Sequence, residues 1–288
     1  MYTSYSTSFL LEGQGGGRKA AAFAENFFIR NNAGVRRWIA AFIRDSLGNA
    51  IVGFVFVGGK AATLPRIWRK ERIVMSEGTR LREKERIERT LEAFRRNRYD
   101  VSLFQRKEEA ADYLAREIAG KRVGFGDSET LRALRLYEKL SVKNEVIDPA
   151  RSGHIGGLEA FLATGREALL TDVFLLSANA ITEAGQIVNM DGAGNRIAGS
   201  LFGHEKTYFV CGVNKLVKDV EAAIERIHAI AAPQNAARKK KRTPCAAKGD
   251  RCYDCSSPER ICNALTIHYK KMSYRPMELV LIEECLGL

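Results

Sequence analysis

The sequence predicts an α/β protein, a mainly parallel sheet flanked by helices with a small cysteine-rich segment near its end. Three observations carry that expectation. From Met75 onward strand-like and helix-like stretches alternate, the order that builds parallel sheets. The runs DVFLLSAN and TYFVCGV are apolar nearly throughout, as strands buried on both faces are. Four of the six cysteines crowd into the stretch from Thr243 to Asn263.

Residues 1–74 read differently from the rest. Both tryptophans, Trp38 and Trp68, and half of the phenylalanines lie there, with a GQGGG run and little sustained periodicity. Lys70-Glu71 can be encoded by AAGGAG, a bacterial ribosome-binding sequence, three codons ahead of Met75. The sequence therefore places a natural start at Met75 or Val74 and makes residues 1–74 an atypical extension from a start set too early; residues 75–288 form the main domain.

Within that domain, residues 80–97 are amphipathic, with Leu81, Ile87, Leu91 and Phe94 on one side, which predicts a helix. The strand DVSLF (Asp100 to Phe104), the helix KEEAADYLAREI (Lys107 to Ile118), the strand KRVGF (Lys121 to Phe125) and a helix from Ser128 to Leu140 follow. NEVID reads as a weak strand, RSGHIGG as loop and LEAFLATGREALL as helix, leading into the buried strand DVFLLSAN. The stretch AITEAGQIVNMDGAGNR turns and opens a helix before TYFVCGV. VKDVEAAIERIHAIAA is helical up to Pro233, where the missing N–H ends it, and ELVLIEE is the last strand.

A net charge of +12 invites a nucleic-acid partner. Eleven Arg and Lys against four Asp and Glu put +7 of it in residues 1–74, and ARKKKR (Ala237 to Arg242) holds much of the remainder. No basic helix interleaved with aromatics appears, so solvated charged faces are expected rather than specific nucleic-acid binding. The most apolar stretch, WIAAFIRDSLGNAIVGFVFVGG, is broken by Arg44 and Asp45, so no membrane span is expected. MYTSYSTSFLLEGQ lacks the basic start of a signal peptide, which points to the cytoplasm, where clustered cysteines more often bind metal than pair.

Two segments suit a ligand. GFGDSET places Gly124, Gly126, Ser128 and Thr130 where a strand gives way to a helix, the position at which open α/β sheets meet ligands; a plain turn capped by Asp127 or Ser128 fits the same residues. SANAITEAGQIVNMDGAGNR gathers Asn179, Thr182, Glu183, Asn189, Asp191, Gly192, Asn195 and Arg196. Asp191 or Glu183 suits acid or base catalysis, Arg196 an anion, and the asparagines hydroxyls or carbonyls. Caps and turns use the same residue types.

The run DVFLLSANAITEAGQIVNMDGAGNR, the later VNKLVKDVEAAIERIHAIAAPQNAAR, the segment with TPC and SPERICN, and the closing LVLIEECLGL together resemble the LUD domain family, also called DUF162 or lactate-utilisation, from about Arg80 to Leu288. The resemblance implies a fold in the superfamily of CoA transferases, ribose-phosphate isomerase and glucosamine-phosphate deaminase (NagB/RpiA/CoA-transferase-like). Family members of the lactate-utilisation type act with iron-sulfur partner proteins in oxidising L-lactate to pyruvate. Asn179 stands where the methylthioribose-phosphate isomerases of that superfamily carry a catalytic acid.

Cys245, Cys252, Cys255 and Cys262 form C-x6-C-x2-C-x6-C. The central C-x2-C lets a tight turn aim two thiolates at one metal and the outer pair completes four, enough for a four-iron iron-sulfur cluster or a zinc ion. The redox setting of the resembled family favours the iron-sulfur cluster. Cys211 and Cys285 read as structural, as do His154, His204, His228 and His268, which belong to no motif. The expected function is a redox-associated subunit or enzyme in the use of lactate or a similar small organic acid, partnered by a small anionic metabolite and iron-sulfur oxidoreductase subunits, with a homo-oligomer left open. A sugar-phosphate isomerase or acyl transferase, or a metabolite sensor without turnover, each with structural zinc, is the alternative. Intact-mass measurement of the native protein tests the start: a mass well below 32.1 kDa is expected, and the full value refutes it.

Overall fold

The computed structural model describes residues 77–288 throughout and, before them, four strand segments. These are β1 (Tyr5–Ser8), β2 (Ala22–Asn31), β3 (Gly34–Arg44) and β4 (Ala50–Phe56), an antiparallel sheet in the order β1-β2-β3-β4. Alternation too irregular to read in the sequence thus folds as strands of 10 and 11 residues in β2 and β3. The start signal at Lys70-Glu71 and Met75 lies outside the described residues. The chain divides into two compact units, Met1–Glu77 and Gly78–Leu288.

The second unit opens with α1 (Glu77–Arg96), β5 (Asp100–Phe104), α2 (Lys107–Glu117) and β6 (Arg122–Phe125). Next come two short helices, α3 (Glu129–Ala133) and α4 (Leu136–Leu140), where one was expected. Arg135 adopts a left-handed φ of 52° between them, and a helix cannot continue through that conformation. After β7 (Glu145–Ile147), α5 (Pro149–Ala168) begins just ahead of the expected loop RSGHIGG and runs through it. Asp148 accepts the amides of Ala150 and Arg151, and Pro149 occupies the first turn, a start signal strong enough to make the segment helical. Gly157, at φ 73°, breaks α5 in the middle.

Then follow β8 (Val173–Leu176), β9 (Ala180–Thr182), β10 (Ile187–Asp191), α6 (Asn195–Leu201) and β11 (Lys206–Gly212). A 3-10 turn over Val213–Lys215 leads to β12 (Leu216–Val217) and α7 (Val220–Arg226). The helix does not end at Pro233. A π-helical turn, Ile227–Ala231, carries α7 into α8 (Ala232–Arg238) with Pro233 in its first turn, and the wider turn accommodates a residue without an N–H. The chain closes with α9 (Pro244–Lys248), β13 (Ala264–His268) and β14 (Met277–Ile282).

Six strands form a parallel sheet in the order β5-β14-β11-β8-β6-β7. Along β11, Phe209 and Cys211 enter one core cluster with α1, while Tyr208 and Val210 enter the other with α2, α3 and α4. Leu279 and Leu281 of β14 go to the first face, Val280 and Ile282 to the second. That two-sided burial is why these strands are apolar without alternation. The stretch expected as turns forms a second sheet, β12-β9-β10-β13. It buries Ile181 and Ile187 against the large sheet and Ala180 and Val188 against α7. At the β9–β10 turn, Gly185 holds φ 77° with the backbone of Ala93 where a Cβ would stand, so only glycine lets the hairpin meet α1.

Phe209 is fully buried at the centre of the sheet. Phe209→Ala is expected to destabilise the chain by about 3–5 kcal/mol, read as a lower urea midpoint; an unchanged midpoint would place the core elsewhere.

Candidate functional site

Strands β14, β11, β8 and β6 are parallel neighbours, so their carboxyl ends share one edge of the sheet, where ligands bind in open α/β folds. Each strand delivers something there. Ser177 directly follows β8, Thr130 lies in α3 after β6, Lys215 closes the turn after β11, and residues 286–288 follow β14.

These groups meet at Lys215, which is 3% exposed. Its Nζ donates to Ser177 Oγ at 2.7 Å and to Thr130 Oγ1 at 3.0 Å. No carboxylate among the described residues pairs with it. Burial pulls the Lys215 ammonium down to about 8, with Arg226 and Arg196 adding to the pull and the Cys211 sulfur opposing it. Gly287 lies over the amine: a Cβ there would stand 2.5 Å from Thr130 Oγ1 and 3.3 Å from Lys215 Nζ.

Two arginines flank the lysine. Arg226, buried, donates to the carbonyls of Asn179 (2.5 Å) and Asn214 (3.2 Å) and to a terminal oxygen of Leu288 (3.4 Å), and burial pulls its guanidinium down. Arg196 donates to the Met190 carbonyl at 2.6 Å and to Asn179 Oδ1 at 3.4 Å. Its stem lies over Gly126, whose absent Cβ would stand 2.8 Å from Arg196 Cγ. The two segments singled out in the sequence therefore touch. Asn189 ties the same corner by accepting the Asn179 amide at 2.9 Å, and its own Nδ2 is buried without a partner.

The expected site residues separate into two groups. Gly126, Ser128, Asn179, Asn189, Asp191, Gly192, Asn195 and Arg196 gather toward the strand ends. Asp191 Oδ2 accepts the amides of Arg196 (3.1 Å) and Ile197 (3.2 Å), and Oδ1 accepts that of Gly192 (2.8 Å). The carboxylate thereby shapes the loop that opens α6. Ser128 caps α3 by accepting the Leu131 amide at 3.3 Å. Thr182 and Glu183 sit at the other end of the β9–β10 hairpin, where Thr182 bonds Gln186 and Glu183 is ion-paired to Arg86 of α1 at 2.7 Å. Gly124 lies inside the sheet against the carbonyl of Ala168, a packing position.

All four thiols of the cysteine segment are free, with Cys245 and Cys262 buried and Cys252 and Cys255 half-buried. Burial pushes the Cys262 thiol up, Arg260 opposes this, and Cys252, Cys255 and Cys245 raise it further, so the four are electrostatic neighbours. No three His, Cys, Asp or Glu side chains among the described residues converge in a metal-binding geometry. The donor set nevertheless suits one: four thiols on one segment, no disulfide and Arg260 alongside. The segment is anchored to the Asp191 loop, Asn263 N donating to the Asp191 carbonyl at 2.9 Å and Ile261 packing where a Gly192 Cβ would stand.

Lys215, Ser177 and Arg226 escaped selection from the sequence. Lys215 sits in an ordinary-looking VNKLV and Arg226 in a helix of mixed charge. The available signal was positional: both Ser177 and Lys215 come just after an apolar strand that is buried on both faces.

No curated protein matches the chain. Among solved structures, a crystal structure of a DUF162 family protein from Deinococcus radiodurans aligns at 13% identity with a TM-score of 0.41, over 69% of this chain and 97% of that one. The model of the LUD domain matches residues 87–282, about two thirds of the sequence, and the chain belongs to the LUD-domain family.

Proposed function

We propose that the protein binds a small organic acid, lactate or a close relative, at the Lys215 site and serves its utilisation as a redox-associated subunit or enzyme. The observation that carries this is a fully buried lysine amine held only by two hydroxyls. A charge taken out of water without a counter-charge is costly, and a carboxylate ligand supplies the missing charge. Ser177 and Thr130 fix the direction of the amine, Arg226 adds positive field, Arg196 is partly offset by Asp191 at 3.9 Å, and the Asn179–Asn189 pair holds the backbone around them. A Lys215 amine near neutrality can also hold or release a proton at a hydroxyl or carbonyl of the bound acid.

Family membership and the four thiols support the redox association. Cys245, Cys252, Cys255 and Cys262 would hold the metal, a four-iron cluster supplying one-electron transfer or, alternatively, zinc supplying a structural clasp. Iron-sulfur oxidoreductase subunits are the partners this reading needs. An isomerase or acyl transferase working through Asp191 or Glu183 has less support, because one carboxylate is engaged by three backbone amides and the other is ion-paired at the far end of the hairpin.

Calorimetric titration with lactate, pyruvate and glycolate tests the site. Binding is expected to weaken by up to tenfold per pH unit as the pH rises above about 8, because the amine then loses its charge. Lys215→Met should abolish binding while raising stability at pH 7. The folded lysine is held below its ordinary value, so its burial cost is present at neutral pH and fades as the pH rises from about 8 to about 10.5. The gain on removing it is about 3 kcal/mol at most. Binding that survives Lys215→Met refutes the site. An anaerobic preparation should be brown with about four irons per chain; a colourless chain holding one zinc would refute the redox role of the thiols, and a metal-free one would remove them from the site.

A further inference from the structure

An open cleft of about 1150 Å³ lies beside Ser128, outside the Lys215 site. Its floor is the loop from Phe125 to Ser128, and its walls come from α3 and α4, the first half of α5, and the end of α8 with the lysines after it. The cleft is more than ample for one small acid, since drug-sized ligands occupy roughly 300–1,000 Å³.

One wall is strongly basic and already ordered. Lys239 and Arg238 from the end of α8 and Arg132 from α3 converge on Asp127, at 2.6, 3.4 and 2.6 Å. Arg132 and Arg238 also share Glu129. Burial works to raise the Asp127 carboxyl, but Lys239, Arg132 and Arg238 outweigh it and hold it well below the usual carboxylate range. Two carboxylates thus line up three cations without neutralising all of them. Arg135, Lys240 and Lys241 also line the cleft and have no ion pair among the described residues. Arg135 and Lys240 both hold a left-handed φ of 52°, a region non-glycine residues seldom adopt and one that recurs at ligand sites.

The α5 side of the lining carries apolar residues beside Asp148, Arg151 and His154. Ile155 and Leu158 of α5 are 84% and 71% exposed and join Phe161 and Tyr137 along the cleft. Arg151 covers the Tyr137 ring at 4.0 Å, so the apolar surface left open to a ligand is that of Ile155 and Leu158.

From this lining, the geometry points to a site for a nucleoside diphosphate moiety, the phosphates against Lys240, Lys241 and Arg135 and the base against Ile155 and Leu158. The site is distinct from the Lys215 site, and its test does not depend on the organic-acid reading.

The test is calorimetric titration of the full chain with ADP, pyrophosphate and adenosine in low salt, without divalent metal. ADP is expected to bind at least tenfold more tightly than pyrophosphate or adenosine, with affinity falling as salt rises. Lys240→Glu should weaken ADP at least tenfold without moving the melting temperature, as its side chain has no ion pair among the described residues to lose. Leu158→Ser should weaken ADP and leave pyrophosphate unchanged. Pyrophosphate binding as tightly as ADP overturns the nucleoside assignment. So does ADP binding that is absent below millimolar concentration or indifferent to the charge reversal, and so does tight binding of a single-stranded oligonucleotide without ADP binding.

Discussion

A parallel sheet must be covered on both faces, and that constraint orders this molecule. Parallel strands need crossovers, the crossovers place helices and the smaller sheet on the two faces, and every strand then ends on the same edge. The chain has no freedom to spread its strand ends apart. Residues distant in sequence, Thr130, Ser177, Lys215 and Gly287, come together at that edge because β6, β8, β11 and β14 are neighbours in one sheet.

What gathers there is costly to gather. Lys215 and Arg226 are buried with hydroxyls and carbonyls as partners in place of carboxylates. A core built for stability alone would use apolar groups of the same volume at these positions. Elsewhere the fold handles buried charge differently. Glu278, 2% exposed, sits at the amino end of β14 with Lys206 at 2.7 Å, Ser102 at 2.7 Å and Tyr113 at 2.8 Å. That network is complete, and it has no capacity for a ligand. The contrast between a paired charge at one end of the sheet and the Lys215 amine, held by hydroxyls at the other, is what the proposed site rests on.

Much of the fold was legible because burial writes itself into composition. FLL of β8 and YFVC of β11 are buried on both faces, and their unbroken apolar runs say so. Elements decided by local conformation were harder to read. Nothing in LRALRLYEKL marks Arg135 as left-handed, and a π-helical turn before Pro233 hides a proline that ordinarily ends a helix. The second sheet was missed because β9 and β12 span three and two residues, too few for periodicity to register. For the site, hydrogen-bonding residue types pointed to the loop around Asp191 but could not separate residues that shape the loop from residues that face a ligand. Asp191 and Asn179 bond mainly to backbone, whereas Lys215, ordinary in sequence, becomes unusual only once its burial is known.

The cysteine segment and the anion site are not independent parts. Asn263, one residue after Cys262, donates through its amide to the Asp191 carbonyl and through its side chain to the Gly192 carbonyl at 3.1 Å. Asp191 in turn fixes the amides that start α6 and set Arg196 beside Asn179. On the other side, Cys252 donates its amide to the His228 carbonyl at 2.7 Å, in the π-helical turn that follows Arg226. The segment therefore bonds to the loop that precedes α6 and to the π-helical turn that follows α7, the helices that carry Arg196 and Arg226. On the proposed reading, a metal held by the thiols and an acid held near Lys215 would thus be joined by short runs of hydrogen bonds through the loop before Arg196 and the turn after Arg226.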